Sequence, residues 1–280
     1  MTYKLDNFIA DVTKAVELNR FWDCEFFLKR FSDSPALHDH LNAELENLIN
    51  DPFKNAPKLM SNGIVLHSTP EWSLLQSFYE HSPAHLYTIP FDGLISPAAR
   101  NSIVYTVYEL PSTYVNSVFD RTCALTVSGT FEAKPGEIIR MDSSKYLYDI
   151  HTPSPVAALR LYTATSQELQ WAFDRKSLLP VQAISSTENA SGLTLTMQVL
   201  SMLKDHRAIR SIQAIADQHS QHFVRWEAVK AIAKIDPLVG LAAITKATKD
   251  IHPHVVNAAN LTLAHHQRLR DKTSSMETGA

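Results

Sequence analysis

Residues 63–79 read Gly-Ile-Val-Leu-His-Ser-Thr-Pro-Glu-Trp-Ser-Leu-Leu-Gln-Ser-Phe-Tyr, two apolar runs separated by Ser68-Thr-Pro-Glu71. Aliphatic, β-branched and aromatic residues on either side of Ser68-Thr-Pro-Glu71 predict two strands, 64–67 and 72–79. Outward from them the same composition runs on to Tyr162, in short stretches divided by Pro, Gly, Ser and Asp. Further strands are expected at 85–89, 103–110, 113–119, 123–131, 137–140 and 157–162. Many short strands at this spacing predict a sandwich or barrel.

Both flanks change character. Before the strands, Phe8, Ile9, Val12, Ala15 and Val16 recur at helical spacing. Phe26, Phe27 and Phe31 make a second stripe, and Leu37, Leu41, Leu45 and Leu48 a third. Ser34-Pro35 predicts the start of the third helix, with Ser as cap and Pro at the first position. After the strands, residues 183–192 (AISSTENASG) are small and polar and predict a linker. From Leu193 to Arg270 the pattern is helical and repeats. Gln221–Ala233 can be laid on His252–Ala264 at an offset of about 31 residues, which pairs Val224 with Val255, Ala228 with Ala259, Ile232 with Leu263 and Ala233 with Ala264. The expected plan is an α+β chain: an N-terminal helical segment (1–56), a β-barrel (57–182), the linker, helical repeats (193–270) and a disordered tail (271–280).

Composition narrows the function. The chain has 280 residues and a formal net charge of -3, which does not suit a general nucleic-acid binder or a polybasic membrane sensor. Two distant cysteines, Cys24 and Cys123, exclude a disulfide scaffold and a cysteine-rich zinc site. Both read as small buried hydrophobes, and their scarcity suits a reducing cytoplasm. No stretch of eighteen apolar residues occurs, so no membrane partner is expected. There is no GxGxxG, GxxxxGK[ST], HExxH or GxSxG, and seven glycines leave little material for phosphate-cradling loops.

Two resemblances sharpen the plan. His222-Phe-Val-Arg-Trp-Glu-Ala228, Asp236-Pro237 and His252-Pro-His-Val255 resemble HEAT repeats, the short variety of bilin-lyase-like proteins, over about residues 193–268. Val256 stands where that pattern has Arg. The resemblance implies an α-solenoid whose side face binds a protein or peptide, with Arg225 and Trp226 as the expected partner-binding residues. Leu66-His-Ser-Thr-Pro-Glu71, Pro135-Gly-Glu-Ile-Ile139 and Ala157-Ala-Leu-Arg-Leu-Tyr162 resemble the cupin superfamily, and within it the cysteine-dioxygenase-like proteins, over roughly residues 5–165. That implies a double-stranded β-helix barrel and, in the enzymes, iron held by a His-x-His pair and a third His. Aligned on Ile103–Glu109, the pair falls on Pro97 and Ala99, and the third position, counted from Gly136 of the second motif, is Leu147. None of these side chains can replace a neutral imidazole on iron.

A metal-free barrel with no cofactor is therefore expected, in a non-enzymatic ligand-binding, regulatory or scaffold protein. The alternative is a thiol-dioxygenase-like iron oxygenase with displaced ligands, built from His81, His85 and His151 and acting on a small molecule or peptide. Arg100, Tyr105, Tyr148 and Arg160 fall near the barrel mouth or lumen in the cupin register, where arginine with tyrosines can hold a carboxylate or phosphate. The competing reading has Arg160 facing solvent and the tyrosines packing. His252, His254, His265 and His266 read as a solvated surface.

Overall fold

The computed structural model describes residues 3–51, 59–60, 63–80, 82–98 and 101–277, and the chain divides into two compact units, Met1–Ser186 and Thr187–Ala280. The first unit carries twelve strands among the described residues: β1 (Leu59–Met60), β2 (Gly63–Ser68), β3 (Trp72–Tyr79), β4 (Leu86–Tyr87), β5 (Gly93–Pro97), β6 (Ile103–Glu109), β7 (Thr126–Ala133), β8 (Ile139–Met141), β9 (Tyr146–Ile150), β10 (Val156–Thr163), β11 (Leu169–Phe173) and β12 (Pro180–Ser185). One antiparallel sheet runs β1-β2-β3-β10-β5-β8. A second runs β7-β6-β9, with β4 lying beside β9, and β4 also edges a third sheet, β12-β11-β4. The order β3-β10-β5-β8 against β4-β9-β6-β7 is that of a jelly roll, the double-stranded β-helix architecture.

The alternation of side chains explains the layers. Along β10, Val156 and Ala158 join Ile95, Ile139 and Met141 in a core shared with Ile103 and Ala133 of the second sheet. Leu159 and Leu161 point the other way, into a core with Trp72, Leu74 and Leu94. That outer face is covered by α1 (Leu5–Glu17), α2 (Cys24–Ser32) and α3 (Ala36–Asn50). Phe8, Val12, Leu28 and Phe31 are fully buried there, with Phe8 stacked on Phe31 at 4.9 Å and edge-on to Trp72 at 6.4 Å. α3 starts one residue later than the Ser34-Pro35 pattern predicts: Pro35 takes the cap position and Ser34 Oγ accepts from Ala36 N at 3.3 Å. The N-terminal helical segment and the barrel belong to one compact unit. In α2 the buried residues are Cys24, Leu28 and Phe31, while Phe26 is exposed.

Several strand expectations change. β5, β9, β11 and β12 were not expected, because each is short and its burial depends on neighbours far along the chain. Residues 113–119 form turns, not a strand. There the Asn116 amide donates to Leu169 O at 2.6 Å and accepts from Leu169 N at 2.9 Å, while its backbone carbonyl accepts from the indole of the fully buried Trp171 at 2.8 Å. A loop that satisfies buried polar groups this way overrides β-propensity. The linker expected at 183–192 is also absent. Residues 183–185 pair with β11, and the unit boundary lies at 186/187.

The second unit contains α4 (Glu188–Met202), α5 (Ile209–Gln218), α6 (His222–Ile235), α7 (Pro237–Ala247) and α8 (Pro253–Glu277). α6 packs against all four others. Val224, Ala228, Val255 and Ala259 are all buried, so the first half of each copy of the sequence repeat occupies an equivalent place. The second half diverges, with Ile232 buried but Leu263 only half-buried, and Ala233 half-buried but Ala264 exposed. Asp236 caps α7 by accepting from Leu238 N at 2.9 Å and Val239 N at 3.1 Å, with Pro237 in its first turn. α8 runs on to Glu277 through the stretch expected to be a disordered tail, since no Gly or Pro interrupts it before then. Among the described residues, no helix is long and apolar enough to cross a membrane.

The α6–α7 contact depends on Gly240. A Cβ there would stand 2.2 Å from Ala233 Cα. Gly240→Ala should destabilise the helical unit by about 1–3 kcal/mol, the usual range for overpacking. In contrast, Gly192 in α4 has open space around it, and Gly192→Ala should stabilise by about 0.5–1 kcal/mol. Thermal and urea denaturation of both variants against the parent chain checks the pair.

Candidate functional site

The jelly roll carries a half-open cavity of about 1110 Å³. Tyr79, Ile95, Arg160, Tyr148 and Ile150 line it, with Leu86 and Tyr87 of β4. Arg160 sits two residues beyond Ala158 on β10, opposite Leu75 and Ile95, and therefore points inward by strand alternation. Its guanidinium carbon lies 5.9 Å from the Tyr162 ring centroid, and its buried Nε–H donates to no acceptor among the described residues. The nearby charge of Arg160 opposes the upward push that burial exerts on the Tyr79 hydroxyl.

Two of the other polar groups around the cavity are engaged, while the exposed Glu80 also lines it. Asp149 forms a two-pronged pair with Arg175, at 2.7 and 2.9 Å. The Tyr148 hydroxyl accepts from Asp142 N at 3.1 Å, and burial pushes its pKa up to about 12, so it stays a neutral donor at physiological pH. Arg160 is left as a cation facing the lumen with no carboxylate paired to it among the described residues. Of the four residues expected to bind ligand, the structure brings Tyr148 and Arg160 to one cavity. Tyr105 packs in the adjoining core with its ring 5.7 Å from Phe131, and Arg100 lies outside the described residues. Sequence reasoning missed Tyr79, whose place follows only from the β3–β10 register.

The positions that hold iron in dioxygenase-like barrels do not suit it here. Pro97 ends β5, buried opposite Ala158, and offers no donor atom. Leu147 is fully buried on the face of β9 opposite to Tyr148, so this position does not face the lumen. Ala99, with no donor of its own, lies outside the described residues, as does His81. His151 sets its Nδ1 3.1 Å from Asp149 O, and His85 turns its ring edge toward Tyr87. Among the described residues, neither histidine belongs to a group of three metal-ligating side chains.

In the helical unit, Arg225 is buried rather than displayed. It donates to both carboxylate oxygens of Asp250, at 2.8 and 2.6 Å, and to the carbonyls of His219 and Ser220, at 2.8 and 2.9 Å. This ties the turn before α6 to the turn before α8, and the guanidinium holds the Asp250 carboxyl below its usual range against the opposing effect of burial. The expected partner-binding role of Arg225 is therefore replaced by an internal ion pair. Trp226 is half-buried against the helical core. Beside Arg225, His222 is buried and gathers with His252 and His254. Burial, helped by those two rings, pushes its pKa down to about 4. His252 and His254 are half-buried, unlike the solvated surface expected of them.

No family model matches the chain, and no curated protein is similar to it. Solved structures similar to it include hydroquinone 1,2-dioxygenase from Sphingomonas sp. TTNP3 with 4-hydroxybenzoate bound, 12% identical, TM-score 0.30, covering 39% of this chain and 68% of that one. A cupin domain from Bordetella pertussis is 8% identical, TM-score 0.25, covering 36% and 90%. A Klebsiella pneumoniae protein with a double-stranded β-helix domain is 8% identical, TM-score 0.25, covering 41% and 87%. The jelly-roll assignment rests on this chain's own strand order.

Removing one partner of a buried ion pair strands the other. Arg225→Ala should cost the helical unit about 3–5 kcal/mol. Urea denaturation followed by helical circular dichroism measures it.

Proposed function

We propose that this protein is a ligand-binding protein whose barrel lumen holds a small organic carboxylate on Arg160. The observation that carries this reading is the lumen-facing guanidinium with a buried, hydrogen-bond-ready Nε and no carboxylate paired to it. Arg160 itself is half-buried, but its buried Nε–H costs free energy while it lacks an acceptor, and an incoming carboxylate supplies one. Tyr79 and Tyr148 present aromatic faces around it, while Leu86, Ile95 and Ile150 give apolar walls for the ligand's body. Among the described residues lining the cavity there is no Ser, Cys or Lys to act as a nucleophile, and Pro97 and Leu147 offer iron no donor atom. The reading is therefore binding rather than turnover, with no cofactor.

We carry the protein- or peptide-partner role of the helical unit forward as part of the same proposal. Its residues change: the exposed part of Trp226, not the buried Arg225, is the candidate contact. Leu238 and Ile251 are 83% and 93% exposed in the same unit and support a surface with apolar contact points.

The test is titration calorimetry of the full chain with benzoate and hexanoate, and with benzamide and hexanamide as uncharged controls. The acids should bind and the amides should not. Arg160→Met keeps the stem's packing and should weaken acid binding at least ~10-fold, the loss of one charge-assisted pair, with the melting temperature held. Equal binding of acids and amides, or of both proteins, would sink the carboxylate reading. Elemental analysis finding about one iron per chain, lost in His85 or His151 variants, would replace it with the oxygenase.

A further inference from the structure

His222 opens α6, while His252 and His254 flank Pro253 at the start of α8. Thirty residues of chain and a whole helix separate the two segments, yet the three rings form one cluster. His222 and His252 stack with centroids 3.6 Å apart and planes 11° from parallel. His254 stands nearly edge-on to both, at 5.8 Å from His222 and 5.2 Å from His252. One nitrogen from each ring can be chosen so that all three lie within 4.8 Å of one another. It is the one such group of three metal-ligating side chains among the described residues.

We propose that His222, His252 and His254 form a zinc-binding site that staples the α6 and α8 starts together. Three imidazoles are a donor set suited to zinc, and a water completes the tetrahedron. Around a tetrahedral zinc at about 2.0–2.1 Å, nitrogen donors stand about 3.4 Å apart. Turning the half-buried His252 and His254 about their side-chain torsions closes the present spacing and unstacks His252 from His222. His252 Nδ1 now accepts from His254 N at 3.3 Å, a long bond that a metal–nitrogen bond would replace.

The surroundings are charged on both sides. Arg225 and the α6 and α8 starts bring positive potential. Asp250 opposes it: its carboxylate pairs with Arg225 and accepts from His252 N at 2.7 Å, which fixes the backbone that carries the ligand. This carboxylate acts as a positioning group, as groups beyond the ligands do in metal sites. Burial is graded: His222 is buried, and the other two leave one side open for the ion and its water.

The experiment titrates metal-stripped full-length protein with Zn²⁺ against a chromophoric chelator, and repeats it with Co²⁺ to read its visible bands. The expected result is one zinc per chain, the bands of a tetrahedral cobalt site, and a melting temperature that rises with zinc. His254→Ala, at a half-buried position, should keep the apo melting temperature and weaken zinc about 100-fold or more, beyond the cost of losing an outer partner. His265→Ala/His266→Ala should leave binding unchanged. Zinc binding unaffected by His254→Ala and His252→Ala, abolished by the His265/His266 variant, or absent altogether would overturn the proposal. Calorimetry with carboxylates is a separate readout, so the lumen reading stands or falls independently.

Discussion

The sheet β3-β10-β5 is buried on both faces, and the rest of the first unit follows from that constraint. Its backbone groups are satisfied within the ladder, so each strand can send one set of side chains to each side. Leu159, Leu161, Leu74 and Leu94 call for a cover of their own, which α1 to α3 supply through Phe8, Val12, Leu28 and Phe31. Ala158, Val156 and Ile95 call for the second sheet. Fully burying side chains of this size stabilises by about 1.5–3 kcal/mol each. A helical segment that looks separable in sequence is thus an integral wall of the barrel.

The same geometry creates the lumen site. Arg160 occupies an inward position of β10 between Ala158 and Tyr162. Of the carboxylates on the cavity wall, Asp149 already has both oxygens on Arg175, and Glu80 is exposed. The two arginines therefore differ: Arg175 closes an internal pair, and Arg160 has no carboxylate paired to it among the described residues. In the helical unit Arg225 repeats the first role, joining two turns through Asp250 and setting the place of the histidines beside it. An arginine near a repeat's start reads as a surface contact, but its five donors and planar fork equally suit an internal clamp.

Much of the fold is legible from local pattern. The strands on either side of 68–71, the strands at 103–109 and 156–163, a helical start close to Ser34-Pro35 and the equivalence of Val224 and Ala228 with Val255 and Ala259 follow from periodicity, capping and turn chemistry. The strands that escape are short ones such as β5, β9 and β11, and the false strand at 113–119 escapes for the converse reason. Its residues favour extended backbone, yet Asn116 and the Trp171 indole draw it into a hydrogen-bonded loop.

The sequence by itself determined the class and the order of helical and strand regions, because periodicity is a local property; Tyr148 and Arg160 fell near the lumen only through the resemblance to the cupin register. It could not decide which arginine would be paired or which histidines would meet. Arg225 finds Asp250 at a separation of 25 residues, and His222 meets His252 and His254 across an intervening helix. Those encounters depend on how α6, α7 and α8 pack, down to the glycine at 240 that lets two helices approach. Packing is set by the joint fit of many side chains, so the charge pairing and the histidine cluster exist only in the tertiary structure.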